Sequence, residues 1–111
     1  MYNYKAKCNR VVDGDTLILD IDMGFSIHSI HSCRMLGYNA PERSEKELNQ
    51  KCVDKLSDLV IGNDIIIGSK KDDKYGRYLV DIFYIENNNL IYVNKIMKEF
   101  VDDLLQANSK Q

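Results

Sequence analysis

The sequence predicts a mainly β domain, in which five short strands close into a small barrel and two or three helices pack outside it. Three observations predict this class. Apolar and polar residues alternate with a period of two in the first third of the chain, the period becomes helical after the single proline, and further β-branched stretches precede a last helical pattern. With 111 residues, the chain is expected to form one domain spanning residues 1–111.

The first three strands are expected to form a meander with short turns. They cover residues 2–12, 16–22 and 25–36. Asp13-Gly14 has the composition of a tight hairpin turn, and Met23-Gly24 supplies the second turn. Because every other residue of the second strand is apolar, one face of that strand should lie on a core.

An amphipathic helix is expected after Pro41. Ser44 and Glu47 fit the capping-box pattern, in which the serine accepts from the amide three residues on and the glutamate reaches back to the serine amide. Apolar residues then recur at helical spacing as far as Val60. We therefore expect a helix over residues 44–60.

The second half of the chain repeats the change from strand to helix. The expected elements are a strand over 64–68, a charged loop over 69–76, a strand over 78–85 and a returning stretch over 90–93. Asn94 can cap a last helix. Three strands, a helix, two strands and a helix are the organisation of an OB-fold barrel with its helices outside.

The amino-acid composition excludes some classes of function. The formal net charge of −2 argues against a protein that binds nucleic acid by bulk electrostatics alone, although it allows a nucleic-acid enzyme with a small basic cluster. Such a cluster consists of Lys70, Lys71, Lys74 and Arg77. No apolar run approaches the roughly 20 residues of a membrane helix. We expect no membrane or obligate protein partner, and a cytoplasmic location unless a secretion signal has been removed.

The three cysteines, Cys8, Cys33 and Cys52, are expected to be reduced and buried, because their number is odd and no C-x-x-C is present. His28 and His31 lie three apart in a strand and should point to opposite faces, so a shared metal is not expected.

Oxygen donors that suit a hard cation such as calcium occur in two segments. Asp15 and Asn39 could supply side-chain oxygens and Ala40 a carbonyl oxygen, with water completing the coordination. Glu42 could hold a water beside the metal and take its proton. The alternatives are that Asp15, like Asp13, is a turn residue bonding local amides, and that Glu42 favours the dipole of the following helix.

Two arginines complete the candidate site. Arg34 lies in an apolar strand, where its charge needs an anionic partner, and Arg77 follows a glycine. Two guanidinium groups can clamp a phosphate, since each donates two bonds to its oxygens. The alternative for each is a structural ion pair. A carboxylate, an amide, a glutamate and two arginines together favour metal-assisted phosphodiester hydrolysis.

Three motifs follow one another in this chain, V-V-D-G-D-T over residues 11–16, R-M-L-G-Y-N-A-P-E over residues 34–42 and D-K-Y-G-R over residues 73–77. They closely resemble the staphylococcal nuclease (thermonuclease-like) family and occur in the family's order. The resemblance covers about residues 5–106. It implies an OB-fold barrel and a calcium-dependent nuclease of DNA and RNA whose products carry a 3′-phosphate.

The resemblance also implies a role for each matching residue. Asp15 would be the calcium carboxylate and Ala40 the carbonyl ligand, while Glu42 would be the general base. Arg34 and Arg77 would bind phosphate. The positions that match nucleotide contacts are Lys74 and Tyr75, near Lys70 and Lys71 of the basic cluster.

The chain departs from the family's pattern at Asn39, where better-known secreted members carry an aspartate. A neutral ligand should weaken calcium binding, so another divalent ion is an open alternative. The segment between Glu42 and the first helix is also very short, so a mobile loop at the rim of the site is missing. A catalytically weak or inactive OB-fold module that binds nucleic acid or protein is the rival hypothesis.

Overall fold

The computed structural model describes residues 3–72 and 76–109, which contain six strands and two helices. The strands are β1 (Asn3–Asp13), β2 (Thr16–Asp22), β3 (His28–Met35), β4 (Ile65–Asp72), β5 (Tyr78–Glu86) and β6 (Asn89–Tyr92), and the helices are α1 (Lys46–Val60) and α2 (Val93–Ser109). The sheet order is β3-β2-β1-β4-β5-β6. A parallel pairing between β3 and β5 closes β1 to β5 into a barrel, and β6 extends β5 as a hairpin. The prediction of a mainly β, closed five-stranded barrel with helices outside is confirmed, and the arrangement is consistent with an OB fold.

The barrel interior is filled by alternate residues of the strands, as the period of two predicts. In β2, Leu17 and Leu19 are fully buried, while Ile18 between them is only partly buried. The two helices cover the barrel with one apolar stripe each. Their buried residues include Cys52, Leu56 and Val60 in α1 and Val93, Met97 and Val101 in α2. All three cysteines are free and buried, which confirms that prediction.

Two strand boundaries differ from the prediction by three residues or more. β3 begins at His28 instead of residue 25, because Phe25 and Ser26 have left-handed φ angles of 54° and 62° and form the hairpin turn. β4 continues to Asp72, so the first half of the expected charged loop is strand. Its extension pairs with β5, where Ser69 lies opposite Val80.

The predicted capping box is wrong. α1 begins at Lys46, the preceding cap residue is Glu45, and no side chain caps the helix. The residues before it form a turn instead, in which the Glu45 amide donates to the Glu42 carbonyl at 2.9 Å. The helix ends at Val60, as expected.

Asn94 is likewise not the cap of the last helix. α2 already begins at Val93, and the buried Asn94 side chain binds the barrel instead. Its Oδ1 accepts from the Ile82 amide at 2.8 Å, and its Nδ2 donates to the carbonyls of Leu36 and Val80 at 2.8 and 3.0 Å. Asn94 therefore fixes the point at which the chain leaves β3 for the candidate site. Neither helix of the described chain has the length and apolarity needed to span a bilayer.

Candidate functional site

A pocket of about 360 Å³ lies at one end of the barrel, where the β1–β2 turn, the segment after β3 and the start of β5 meet. Its lining comprises Asp13, Asp15, Thr16, Arg34, Asn39, Ala40, Pro41, Glu42, Arg43, Asn49 and Arg77. The structure thus brings together the three residues predicted to hold a metal and the three predicted to be catalytic. They come from three segments separated by up to 62 positions of the chain, from Asp15 to Arg77.

Asp15 connects two of these segments. Its side chain is almost fully buried, Oδ2 accepts from the Ala40 amide at 3.0 Å, and Oδ1 accepts from the Thr16 hydroxyl at 3.2 Å. Arg34 Nη2 lies 3.5 Å from Oδ2. Because Ala40 is 25 residues away in sequence, Asp15 does more than bond its own turn, and it holds the segment after β3 against the start of β2.

Arg34 is placed by strand register. It lies opposite Thr16 of β2 on one side and Leu79 of β5 on the other. Its Nη2 donates to Asn39 Oδ1 and approaches Asp15, so the ion pair expected for a charge in this strand is present. The side chain retains 26% of its exposure, which leaves the guanidinium accessible from the pocket.

Arg77 reaches the same pocket from the start of β5. Its Nη1 donates to the Thr16 hydroxyl at 3.2 Å. The parallel pairing of β3 with β5 begins at Cys33 and Tyr78 and places Leu79 opposite Arg34, so Arg77 directly precedes the paired segment. The closure of the barrel is therefore what brings the two guanidinium groups together.

The segment that leads to Glu42 is anchored to the barrel and to α1. The buried Tyr38 hydroxyl donates to the Gly14 carbonyl at 2.8 Å, and Asn49 Nδ2 of α1 donates to the Pro41 carbonyl at 2.7 Å. Glu42 itself is exposed at the pocket rim. Within the described ranges, its carboxylate has no hydrogen-bond or ion-pair partner, so it is available to a water molecule or ligand.

The charges of the pocket balance. Its three carboxylates are Asp13, Asp15 and Glu42, and its three guanidinium groups are Arg34, Arg43 and Arg77. Two nearby groups remain neutral at physiological pH. Burial raises the pKa of Tyr38 and of Cys52, and the charge of Asp15 raises both pKa values further. Neither the phenol nor the thiol therefore offers an anionic nucleophile at this pocket.

Several pocket residues were missed in the sequence. Asp13 was interpreted as a turn residue, but it accepts from Arg43 Nε at 2.8 Å. Asn49 could have been suspected from its position one turn into the expected helix. Gly14 has a second role besides its place in the hairpin turn. A Cβ at this position would lie 2.5 Å from the Cys52 Cβ and 2.7 Å from the Ala40 Cβ. Gly14 allows α1 and the site segment to approach the β1–β2 turn.

Part of the predicted basic cluster lies outside the described residues. Lys74 and Tyr75 lie outside the described residues, as does the side chain of Lys71. Lys70 is exposed on β4 and does not line the pocket.

In residues 3–72 and 76–109, no three side chains among histidine, cysteine, aspartate and glutamate are grouped to hold a metal ion. The two histidines have separate partners, since His28 Nδ1 lies 3.0 Å from Asp20 Oδ1 and His31 Nε2 lies 2.6 Å from the Ser29 hydroxyl. A metal in the candidate pocket would therefore depend on Asp15 together with amide and backbone oxygens.

Comparison with known proteins gives a distant relative. No family model matches the chain. Uncharacterized protein MJ1439 of Methanocaldococcus jannaschii is 29% identical over an alignment 126 positions long, which covers 88% of this chain and 57% of that protein. The chain thus spans somewhat more than half the length of this relative.

Proposed function

We propose that this chain is a divalent-metal-dependent nuclease that hydrolyses phosphodiester bonds of DNA, RNA or both. The observation that carries the proposal is the convergence of two arginines, a buried aspartate and an accessible glutamate in one small pocket. Guanidinium groups bind phosphate oxygens, and a carboxylate without a protein partner can act as a base. The three motifs that resemble the staphylococcal nuclease family support the same chemistry.

The donor set fits a hard cation. Asp15 would offer a carboxylate oxygen, Asn39 an amide oxygen and Ala40 a backbone carbonyl oxygen, and no nitrogen or sulfur ligand is among them. When bound, the ion would offset phosphate charge and orient a water. Because the set contains a single carboxylate, and Asn39 Oδ1 also accepts from Arg34, we expect weak calcium binding and keep other divalent ions open.

In this proposal Glu42 takes a proton from the attacking water. Its position at the rim leaves the carboxylate within reach of solvent, while the bond from Asn49 to the Pro41 carbonyl fixes the adjacent backbone. A base must lie within hydrogen-bond distance of the proton that it removes, so the anchoring of this segment is part of its chemistry.

Arg34 and Arg77 stabilise the phosphate as the reaction proceeds. Attack by water increases the negative charge on the phosphate oxygens, and hydrogen bonds from guanidinium groups strengthen as that charge grows. Cleavage between the phosphorus and the 5′ oxygen would leave a 3′-phosphate and a 5′-hydroxyl, as the resemblance implies.

A panel of substrates and ions tests the proposal. Supercoiled plasmid DNA and a labelled RNA are incubated with the protein in calcium, magnesium, manganese or chelator. We expect cleavage that requires a divalent ion, and 3′-phosphate ends on the products. The variant carrying both Arg34→Ala and Arg77→Ala, purified in parallel, should be inactive and excludes a contaminating nuclease.

The rival hypothesis is an OB-fold module that binds nucleic acid or protein without cleaving it. Absence of cleavage under every condition, combined with a gel-mobility shift of the same DNA or RNA, would overturn the nuclease proposal in favour of a binding module. Equal cleavage by the double arginine variant would also overturn it.

A further inference from the structure

Arg43 lies directly after Glu42 and outside every motif discussed above. Its Nε donates to Asp13 Oδ1 at 2.8 Å, and both residues line the candidate pocket. Asp13 is the last residue of β1 and therefore belongs to the barrel wall. The pair connects the segment after Pro41 to that wall, 30 residues away in sequence.

The contacts on either side of Glu42 differ in kind. On the preceding side, Pro41 is buried and its carbonyl accepts from Asn49, while the Ala40 amide is bound by Asp15. On the following side, the Glu42 carbonyl accepts from the Glu45 amide, which closes a local turn without contacting the barrel. The Arg43–Asp13 pair supplies the contact to the barrel on that side.

We propose that Arg43 is a positioning residue, whose ion pair with Asp13 holds Glu42 in orientation toward the pocket. The expected effect on the rate rests on the function proposed above, whereas the restraint on the orientation of Glu42 does not. Fixing the residues on both sides of Glu42 limits the directions its side chain can take. A general base gains from such restraint because small displacements from the reacting geometry reduce the rate strongly.

The exposure of the Arg43–Asp13 pair determines whether its loss should affect the turnover number or the melting temperature. The Arg43 side chain retains 70% of its exposure and that of Asp13 24%. Exposed ion pairs contribute little to global stability. Loss of this pair should therefore change the turnover number with little change in the melting temperature, whereas a merely structural residue would change the melting temperature.

A second role for Arg43 is possible in the same pocket, as a third guanidinium that contacts substrate phosphate. That role predicts a different result. A phosphate contact contributes to substrate binding, so its loss raises KM and makes the salt dependence of binding less steep. The positioning role predicts a lower kcat with KM and salt dependence nearly unchanged.

The test is a double-mutant cycle with Arg43→Ala, Asp13→Ala and the combined variant, measured with the ion that supports cleavage. We expect each single variant to lower kcat about 10- to 100-fold. The combined variant should be no slower than the slower single variant, since both changes remove one interaction. Arg43→Lys should restore part of the rate. Lys98→Ala, which breaks an exposed pair with Asp102 of the same 2.8 Å length in α2, is the matched control and should leave kcat unchanged.

Additive losses in the cycle, or a raised KM with unchanged kcat in Arg43→Ala, would overturn the positioning role. Amide hydrogen exchange at Glu45, whose amide donates to the Glu42 carbonyl, tests it without activity. We expect exchange there to accelerate severalfold in Arg43→Ala relative to Lys98→Ala, while the Ile82 amide, bound by Asn94, stays protected. If the wild-type protein cleaves no substrate, the proposed function fails and the exchange result alone decides the role of Arg43; unchanged exchange would overturn it.

Discussion

The two ends of the barrel differ in the way their openings are built. At the site end, lining residues of a pocket of about 360 Å³ are joined by hydrogen bonds between segments remote in sequence, such as Ala40 to Asp15 and Arg77 to Thr16. At the opposite end, referred to as the far end, a larger cavity of about 900 Å³ lies among the start of β1, the end of β2 and the end of β5. Its ion pairs join exposed side chains, for example Lys7 to Asp64 at 3.9 Å.

The candidate site is therefore the smaller of the two cavities. Oriented hydrogen bonds hold functional groups in fixed positions, which catalysis and specific binding need. The far end instead carries exposed apolar side chains on the β2–β3 hairpin, including Met23, Phe25 and Ile27. Changes at the site end should therefore alter activity strongly, and comparable changes at the far end should alter activity weakly.

The largest effect is expected for Glu42→Gln. The substitution removes the proposed base and keeps the side-chain shape, so kcat should fall roughly 10²–10⁴-fold. Because Glu42 is exposed, the circular dichroism spectrum and melting temperature should not change. Glu47→Gln makes the same change in the first turn of α1 outside the pocket and should leave kcat intact. A nearly full rate in Glu42→Gln would remove this residue from the role of base.

Gly14→Ala should produce the largest loss of stability among changes to the turns. The added Cβ would meet the Cβ atoms of Cys52 and Ala40 at 2.5 and 2.7 Å, so α1 and the site segment would have to move. Overpacking of this kind lowers the free energy of unfolding by about 1–3 kcal/mol, measurable by urea denaturation.

Gly24→Ala at the far end is the comparison for Gly14→Ala. Nothing lies within 4 Å of a Cβ at Gly24, so its cost is limited to the left-handed conformation, with φ of +83°. That cost is about 1–2 kcal/mol, and it should leave kcat unchanged. A greater loss of activity in Gly24→Ala than in Gly14→Ala would reverse the comparison between the ends.

A smaller effect is expected for Asn39→Asp. The change adds a carboxylate to the proposed ligand set and should tighten calcium binding by roughly tenfold. Isothermal titration calorimetry measures this affinity. Asn87→Asp adds the same charge in the exposed β5–β6 turn and should not alter it. Equal or weaker calcium affinity in Asn39→Asp would count against Asn39 as a metal ligand.

Much of the fold follows from local pattern. The limits of β2 were predicted to the residue, because strict alternation identifies a strand with one buried face. The pairing of β3 with β5, which closes the barrel, could not be predicted in this way. It joins Cys33 to Tyr78 and Met35 to Val80, and no local pattern records a pairing between stretches more than 40 residues apart.

Errors at the helix ends have a physical reason as well. The Ser44 capping pattern is present in the sequence, yet the chain uses the preceding residues for the turn that carries Glu42. Asn94 has the composition of a cap, but its amide is buried and bonded to three backbone groups of the barrel region. A side chain that can cap a helix can equally bind another element, and the tertiary contacts decide between them.

The site was predicted in part for the same reason. Motif residues such as Asp15, Arg34 and Glu42 were placed in one pocket from their chemistry and order in the chain. Arg43 and Asn49 were missed because their partners, Asp13 and the Pro41 carbonyl, are known only once the segment is folded against the barrel.

The smallest effect is expected at the tip of the β2–β3 hairpin. Phe25 is 99% exposed and has a φ of 54°. Asparagine tolerates this left-handed conformation better than phenylalanine, and little packing is lost. Phe25→Asn should therefore change the free energy of unfolding by less than about 0.5 kcal/mol and leave kcat unaltered. The aromatic comparison at the site end is Tyr38→Phe, which leaves the buried Gly14 carbonyl without its donor and should cost about 1–3 kcal/mol. If urea denaturation ranked these two variants in the opposite order, the hairpin tip and not the anchored turn would be the stabilising end of the barrel.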